Sequence, residues 1–107
     1  MRRRTRSLRG RPKDIQYSRS DIRIIEYLAE LSMKHGIDKT ELFNAVVDTW
    51  QNGKAICQGL TIKLRMKKED HIVMLITQNH RVVTQFSIHK HVLEEANPFR
   101  VFDYLSN

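Results

Sequence analysis

Apolar residues follow two rhythms along this chain, and the rhythm changes near residue 55. Before that point they recur every three or four positions. Ile24, Tyr27, Leu28 and Leu31 share one face, with Ile25 beside them, which predicts a helix from about Ser20 to His35. Ser18 or Ser20 can cap its start, Asp21 suits its first turn, and Gly36 supplies a left-handed stop. Leu42, Phe43, Val46, Val47 and Trp50 predict a second helix. Asp38-Lys39-Thr40-Glu41 before them has the form of a capping box with an acidic cap, and Asn52-Gly53 ends the run. The short link between the two predicts an antiparallel helical hairpin.

From Ala55 onward the pattern alternates. Leu60, Ile62, Leu64 and Met66 face one way; Thr61, Lys63, Arg65 and Lys67 face the other, the signature of a half-buried strand. Lys68-Glu69-Asp70 is a turn, and residues 71–78 form a strand apolar on both faces. Asn79-His80 is a tight turn before a third strand, 81–88. There Val82, Phe86 and Ile88 point inward, and Arg81, Val83, Gln85 and Ser87 outward. A short helix over 89–96 follows, interrupted by Asn97-Pro98. Phe99, Val101, Phe102, Tyr104 and Leu105 supply a last element that closes the core. The expected fold is therefore α+β: a helical hairpin packed on a three-stranded antiparallel β-meander, with a short C-terminal helical element. The domain spans residues 18–107 and carries a disordered basic arm, residues 1–17.

A chain of 107 residues with 40% hydrophobic content suits one small domain. A single cysteine, Cys57, cannot make an internal disulfide, so a reducing intracellular setting is expected. No apolar run is long enough to span a bilayer, and the basic N-terminus lacks the apolar core of a secretory signal.

Charge changes the picture more. The net charge is +7, and Arg2, Arg3, Arg4, Arg6, Arg9, Arg11 and Lys13 account for all of it. The other twelve basic residues are balanced by twelve acidic ones. Within that neutral remainder, residues 54–90 hold seven basic and two acidic residues, whereas residues 14–53 hold four and seven. The sheet is basic and the helices are acidic. A block of like charge stays extended and suits a polyanion.

The arm ends in Arg9-Gly10-Arg11-Pro12-Lys13. This stretch resembles the AT-hook, a DNA-binding motif built on an Arg-Gly-Arg-Pro core. The resemblance covers only these residues. It implies that Arg9 and Arg11 enter the narrow, negative minor groove of A·T-rich DNA, with Gly10 letting the backbone approach and Pro12 favouring an extended path. Leu8 stands where the motif often has proline, and Asp14 follows where it usually has more basic residues.

A second candidate surface is the row Lys63, Arg65 and Lys67, with Lys68 and Arg81 nearby. Period-2 spacing sets the first three on one face, where they can track phosphates. Val73, Leu75 and Val83 make that outer face partly apolar, which calls for a cover: the C-terminal element or another subunit. The second helix is not expected to read DNA, because Glu41 and Asp48 on its exposed side would repel phosphates. The five histidines read as surface residues, with His89 and His91 able to face one way. No metal site, cofactor or catalytic constellation is expected; Glu69-Asp70 and Glu94-Glu95 are neighbours, which do not converge as an acid–base pair must.

The expected function is non-enzymatic nucleic-acid binding, with DNA ahead of RNA because of the arm motif. Its expected contacts are the arm (Arg2, Arg3, Arg4, Arg6, Arg9, Gly10, Arg11, Pro12 and Lys13) and Lys63, Arg65, Lys67 and Arg81. Such a protein would work in the cytoplasm or nucleoid, or in a nucleus. One alternative is an interaction or oligomerisation module, self-associating through the outer sheet face, with an incidental tail. Another is an OB-like binder of single strands or RNA.

Overall fold

A computed structural model describes residues 17–95 and 97–106 of the chain. The elements run α1 (Arg19–Lys34), α2 (Lys39–Asn52), β1 (Lys54–Cys57), β2 (Leu60–Lys67), β3 (His71–Gln78), β4 (Arg81–His89), α3 (Lys90–Glu95) and α4 (Pro98–Ser106). The arm residues 1–16 lie outside the described residues.

Local chemistry sets the helix ends. Ser18 caps α1 in a closed capping box. Its hydroxyl accepts from the Asp21 N–H at 3.2 Å, and the Asp21 carboxylate accepts from the Ser18 N–H at 3.0 Å. The helix stops in a Schellman arrangement around Gly36, whose φ is +68°. There the Ile37 N–H reaches the Ser32 carbonyl at 2.8 Å and the Gly36 N–H reaches that of Met33 at 3.2 Å. Asp38 caps α2 by accepting from the Thr40 N–H at 3.0 Å. Glu41 departs from the expected box: its carboxylate accepts from the Gln58 side-chain amide at 2.7 Å, in the β1–β2 turn. Asn97 caps α4, its side-chain oxygen accepting from the Phe99 N–H at 3.1 Å, with Pro98 at the first helical position.

The sheet has four antiparallel strands in the order β1-β2-β3-β4, one more than the alternation predicted. Two tight turns at the same end join β1 to β2 and β3 to β4. Gln58 and Gly59 have φ +46° and +90°, and Asn79 and His80 have φ +52° and +67°. Two consecutive positive φ values mark the turn type whose twist matches a hairpin.

Two register shifts alter the expected faces. One falls between Leu64 and Met66, so Leu64 pairs with Met74 but Met66 pairs with Val73 and Lys67 with Ile72. The other falls between Ile76 and Thr77, so Thr84 pairs with Ile76 and Val82 with Thr77. An extra residue in one strand reverses the facing of everything beyond it. Met66 and Val82, expected inward, are consequently 51% and 66% exposed.

The helices cover one face. Leu60, Ile62, Ile72, Met74, Ile76, Phe86 and Ile88 from the sheet meet Ile25 and Leu28 of α1 and Leu42, Phe43 and Val46 of α2. Tyr27 of α1 hydrogen-bonds Thr84 of β4 through their hydroxyls. Val92 and Leu93 of α3, and Val101 and Phe102 of α4, complete this core. The Phe102 ring meets Phe43 edge-on, with centroids 5.9 Å apart. Phe99, expected in the core, is exposed; the side chains of Tyr104 and Leu105 lie outside the described residues. Because α4 packs against α1, α2 and α3, the C-terminal element is not the cover expected for the outer sheet face.

Candidate nucleic-acid interface

The outer face is built from alternate positions of four strands: Lys54 and Ile56, then Thr61, Lys63 and Met66, then Val73, Leu75 and Thr77, then Val82, Gln85 and Ser87. None of these residues is acidic. Lys54 and Lys63 are direct cross-strand partners, both exposed, so two cationic side chains leave the same face as neighbours.

Beside them lies a cavity of about 290 Å³ lined by Lys54, Gly59, Thr61, Lys63, Thr77, Asn79 and His80. Thr61 and Thr77 are themselves cross-strand partners, and the two tight turns bound the cavity's end. The lining offers ammonium groups, hydroxyls, an amide and an imidazole, and no carboxylate. That is the donor set of an anion site. Glu41, the acid held to the nearby turn by Gln58, lies on α2 and belongs to another cavity, with Asn44, Asp48 and Cys57.

The predicted basic row is only partly assembled. Lys63 lies on the outer face as expected. Arg65 falls within the register shift, and beyond it Lys67 pairs with Ile72, which puts it on the core-facing parity at the sheet's end. Arg81 pairs with Gln78, also on the core-facing parity, because of the shift near Thr77. Period-2 counting missed both shifts. It also missed Lys54, whose strand is only four residues long. Arg2, Arg3, Arg4, Arg6, Arg9, Gly10, Arg11, Pro12 and Lys13 lie outside the described residues.

The opposite end of the sheet carries three of the five histidines. His71 and His89 are cross-strand partners with ring centroids 4.9 Å apart, and His91 lies 4.1 Å from His89. A carboxylate stands at each end of this series. Asp70 is 2.8 Å from His71 Nδ1 and 3.9 Å from His89 Nε2; Asp21 is 2.7 Å from His91 Nε2. The His91 backbone N–H donates to His89 Nδ1 at 3.3 Å. Burial alone would raise the Asp21 carboxyl, but the Ser18 N–H, His91 and the Ser18 hydroxyl hold it below the usual carboxylate value. Asp70 is lowered first by its bond to His71. Tyr17 stacks on His91 at 6.1 Å, which brings the root of the arm to the end of β4. The sequence showed that His89 and His91 can face one way; His71 gave no sequence signal, since only the strand register joins it to them.

Among the described residues, no group of three or more His, Cys, Asp or Glu side chains is arranged to hold a metal ion. Cys57 is buried on the core face, and burial followed by the Glu41 charge pushes its thiol up, away from the reactive thiolate. No described helix is long and apolar enough to cross a membrane. Compared with known proteins, the chain matches no family model, no curated protein and no solved structure.

Proposed function

We propose that this protein binds nucleic acid without acting on it chemically, DNA ahead of RNA, through its Arg-rich arm and the outer face of its sheet. The reading places it in an intracellular compartment that holds nucleic acid. The observation that carries it is the Lys54–Lys63 pair on an outer face that has no acid at any outward position. A cation pair of this kind costs stability in isolation and gains when a polyanion lies across it. Glu41 and Asp48 of α2 reach only the β1 edge, where they share a cavity with Ile56 and Gln58, and neither lines the cavity beside Lys54 and Lys63.

The arm adds the larger share of charge. Its root at Tyr17 adjoins His91, at the end of β4. Sixteen residues precede Tyr17, and their extended reach is roughly 50 Å, against about 15 Å across the four strands and about 25 Å along them to the turn end. One duplex can therefore meet both the arm and the sheet. Arg9 and Arg11 supply groove insertion in the way the AT-hook resemblance implies; Lys54, Lys63 and Arg65 supply phosphate contacts.

Titrating an A·T-rich and a G·C-rich duplex against the full chain, by fluorescence anisotropy, tests the reading. Binding that weakens steeply with salt and favours A·T supports it; no binding to either duplex at low salt ends it.

A second reading rests on a separate observation. Ile56, Met66 and Val82 are 70%, 51% and 66% exposed on the same outer face. Such a surface also suits self-association. Light scattering of the full chain without nucleic acid distinguishes the two: a stable dimer at micromolar concentration favours this reading.

A further inference from the structure

We infer that the cavity between the two tight turns is a discrete binding site for a single phosphate group, held by Lys54 and Lys63. The inference rests on the nucleic-acid reading for the source of the phosphate, but its geometry stands apart from the arm.

Two features that work against folding line this one cavity. The first is the direct opposition of Lys54 and Lys63 across an antiparallel pair, where like charges repel. The second is His80, which holds φ +67° in the second position of a tight turn, where glycine carries no steric penalty. The neighbouring turn at the same end does use glycine there, Gly59 at φ +90°. Of the described non-glycine residues at positive φ, Asn79 and His80 line this cavity and Gln58 does not. Strain and unbalanced charge that meet at one cavity mark a candidate ligand site. The ligand's chemistry follows from the lining. Two ammonium groups balance a dianion, and the Thr61 and Thr77 hydroxyls and the Asn79 amide donate to its oxygens. A volume of about 290 Å³ leaves room for the ester substituent of the phosphate.

The phosphate has two possible sources: an internal phosphodiester of a nucleic acid, or a terminal phosphate monoester. Both present non-bridging phosphoryl oxygens: the diester two, with one negative charge, and the monoester three, with up to two, so the monoester matches the two ammonium groups more fully.

Inorganic phosphate is the probe, added to the full chain at constant ionic strength. Amide chemical shifts at Thr61, Thr77, Asn79 and His80, and the melting temperature, are the readouts. Saturable shifts at these residues and a rise in melting temperature are expected. In the double variant K54Q/K63Q, phosphate affinity falls about tenfold or more, since two charge-assisted contacts are lost. In H80G it falls severalfold. Both variants melt no lower than the parent in the absence of phosphate, because each removes a strain, so lost binding is not lost folding. No shifts in the parent, or unchanged affinity in K54Q/K63Q, overturns the site.

The same A·T-rich duplex with and without 5′-phosphates then identifies the source. Preference for the phosphorylated duplex that vanishes in K54Q/K63Q assigns a terminal phosphate. Equal binding of both duplexes, weakened in K54Q/K63Q, assigns an internal one. Phosphate bound with neither duplex bound upholds the cavity and ends the nucleic-acid reading. Duplex bound with no response to inorganic phosphate ends the cavity proposal alone.

Discussion

Asp21 and His91 meet at 2.7 Å between the carboxylate and Nε2, and this contact ties the start of α1 to the start of α3 across 70 residues of sequence. The same carboxylate closes the capping box with Ser18, so one buried acid serves a local and a distant bond.

The charge on Asp21 therefore links stability to acid. Its folded value lies below the ordinary carboxylate value of 3.8, so its contribution is present above about that pH. It is lost as pH falls through the lower folded value. Asp21→Asn should cost about 2 kcal/mol at pH 7, from a cap and a charge-assisted hydrogen bond. The gap between variant and parent should close below pH 4. Urea denaturation from pH 3 to 7 checks it; a constant gap across that range would count against the assignment.

Asp70 shows the same sign from a different cause, its bond to His71. Asp70→Asn should flatten the fall in stability with acid over the same window. Proton uptake on unfolding, measured from the pH dependence of the urea midpoint, should drop in the variant.

Helical signals were readable because they are local. Ser18, Asp21, Gly36, Asp38 and Gly53 act within a few residues, and each sits at the end it announced. β1 was unreadable for a physical reason: small Ala55 and Cys57 face the core while large Ile56 faces out, so apolar size points the wrong way. The register shifts near Arg65 and Val83 leave no mark in composition, yet they redirect Met66, Lys67, Arg81 and Val82. Of the candidate interface, Lys63 and the basic bias of the sheet were legible. Lys54 and the joining of His71 to the other two histidines depend on pairings between strands.

His80 offers a stability test free of ligand. At φ +67° a side chain costs on the order of 1 kcal/mol relative to glycine. His80→Gly should raise the urea midpoint accordingly. A lower midpoint would mean that the imidazole makes contacts that outweigh its backbone strain.

Phe102 marks the dependence of the helical layer on α4. It is 3% exposed, stacks edge-on with Phe43 and lies 5.3 Å beneath the Lys39 ammonium. Phe102→Ala should cost about 3–5 kcal/mol. Thermal melting checks this, and a loss below 1 kcal/mol would show that α4 contributes little to the core.

The central claim is that arm and sheet bind one nucleic acid together. Its most direct measurement is the salt dependence of affinity for an A·T-rich duplex. It compares the parent chain, a chain lacking residues 1–13, and K54Q/K63Q. Removing the arm should abolish most of the affinity and much of the salt slope, and K54Q/K63Q, which releases one phosphate, should lower the slope by about 1. Affinity and slope unchanged by both alterations would contradict the account.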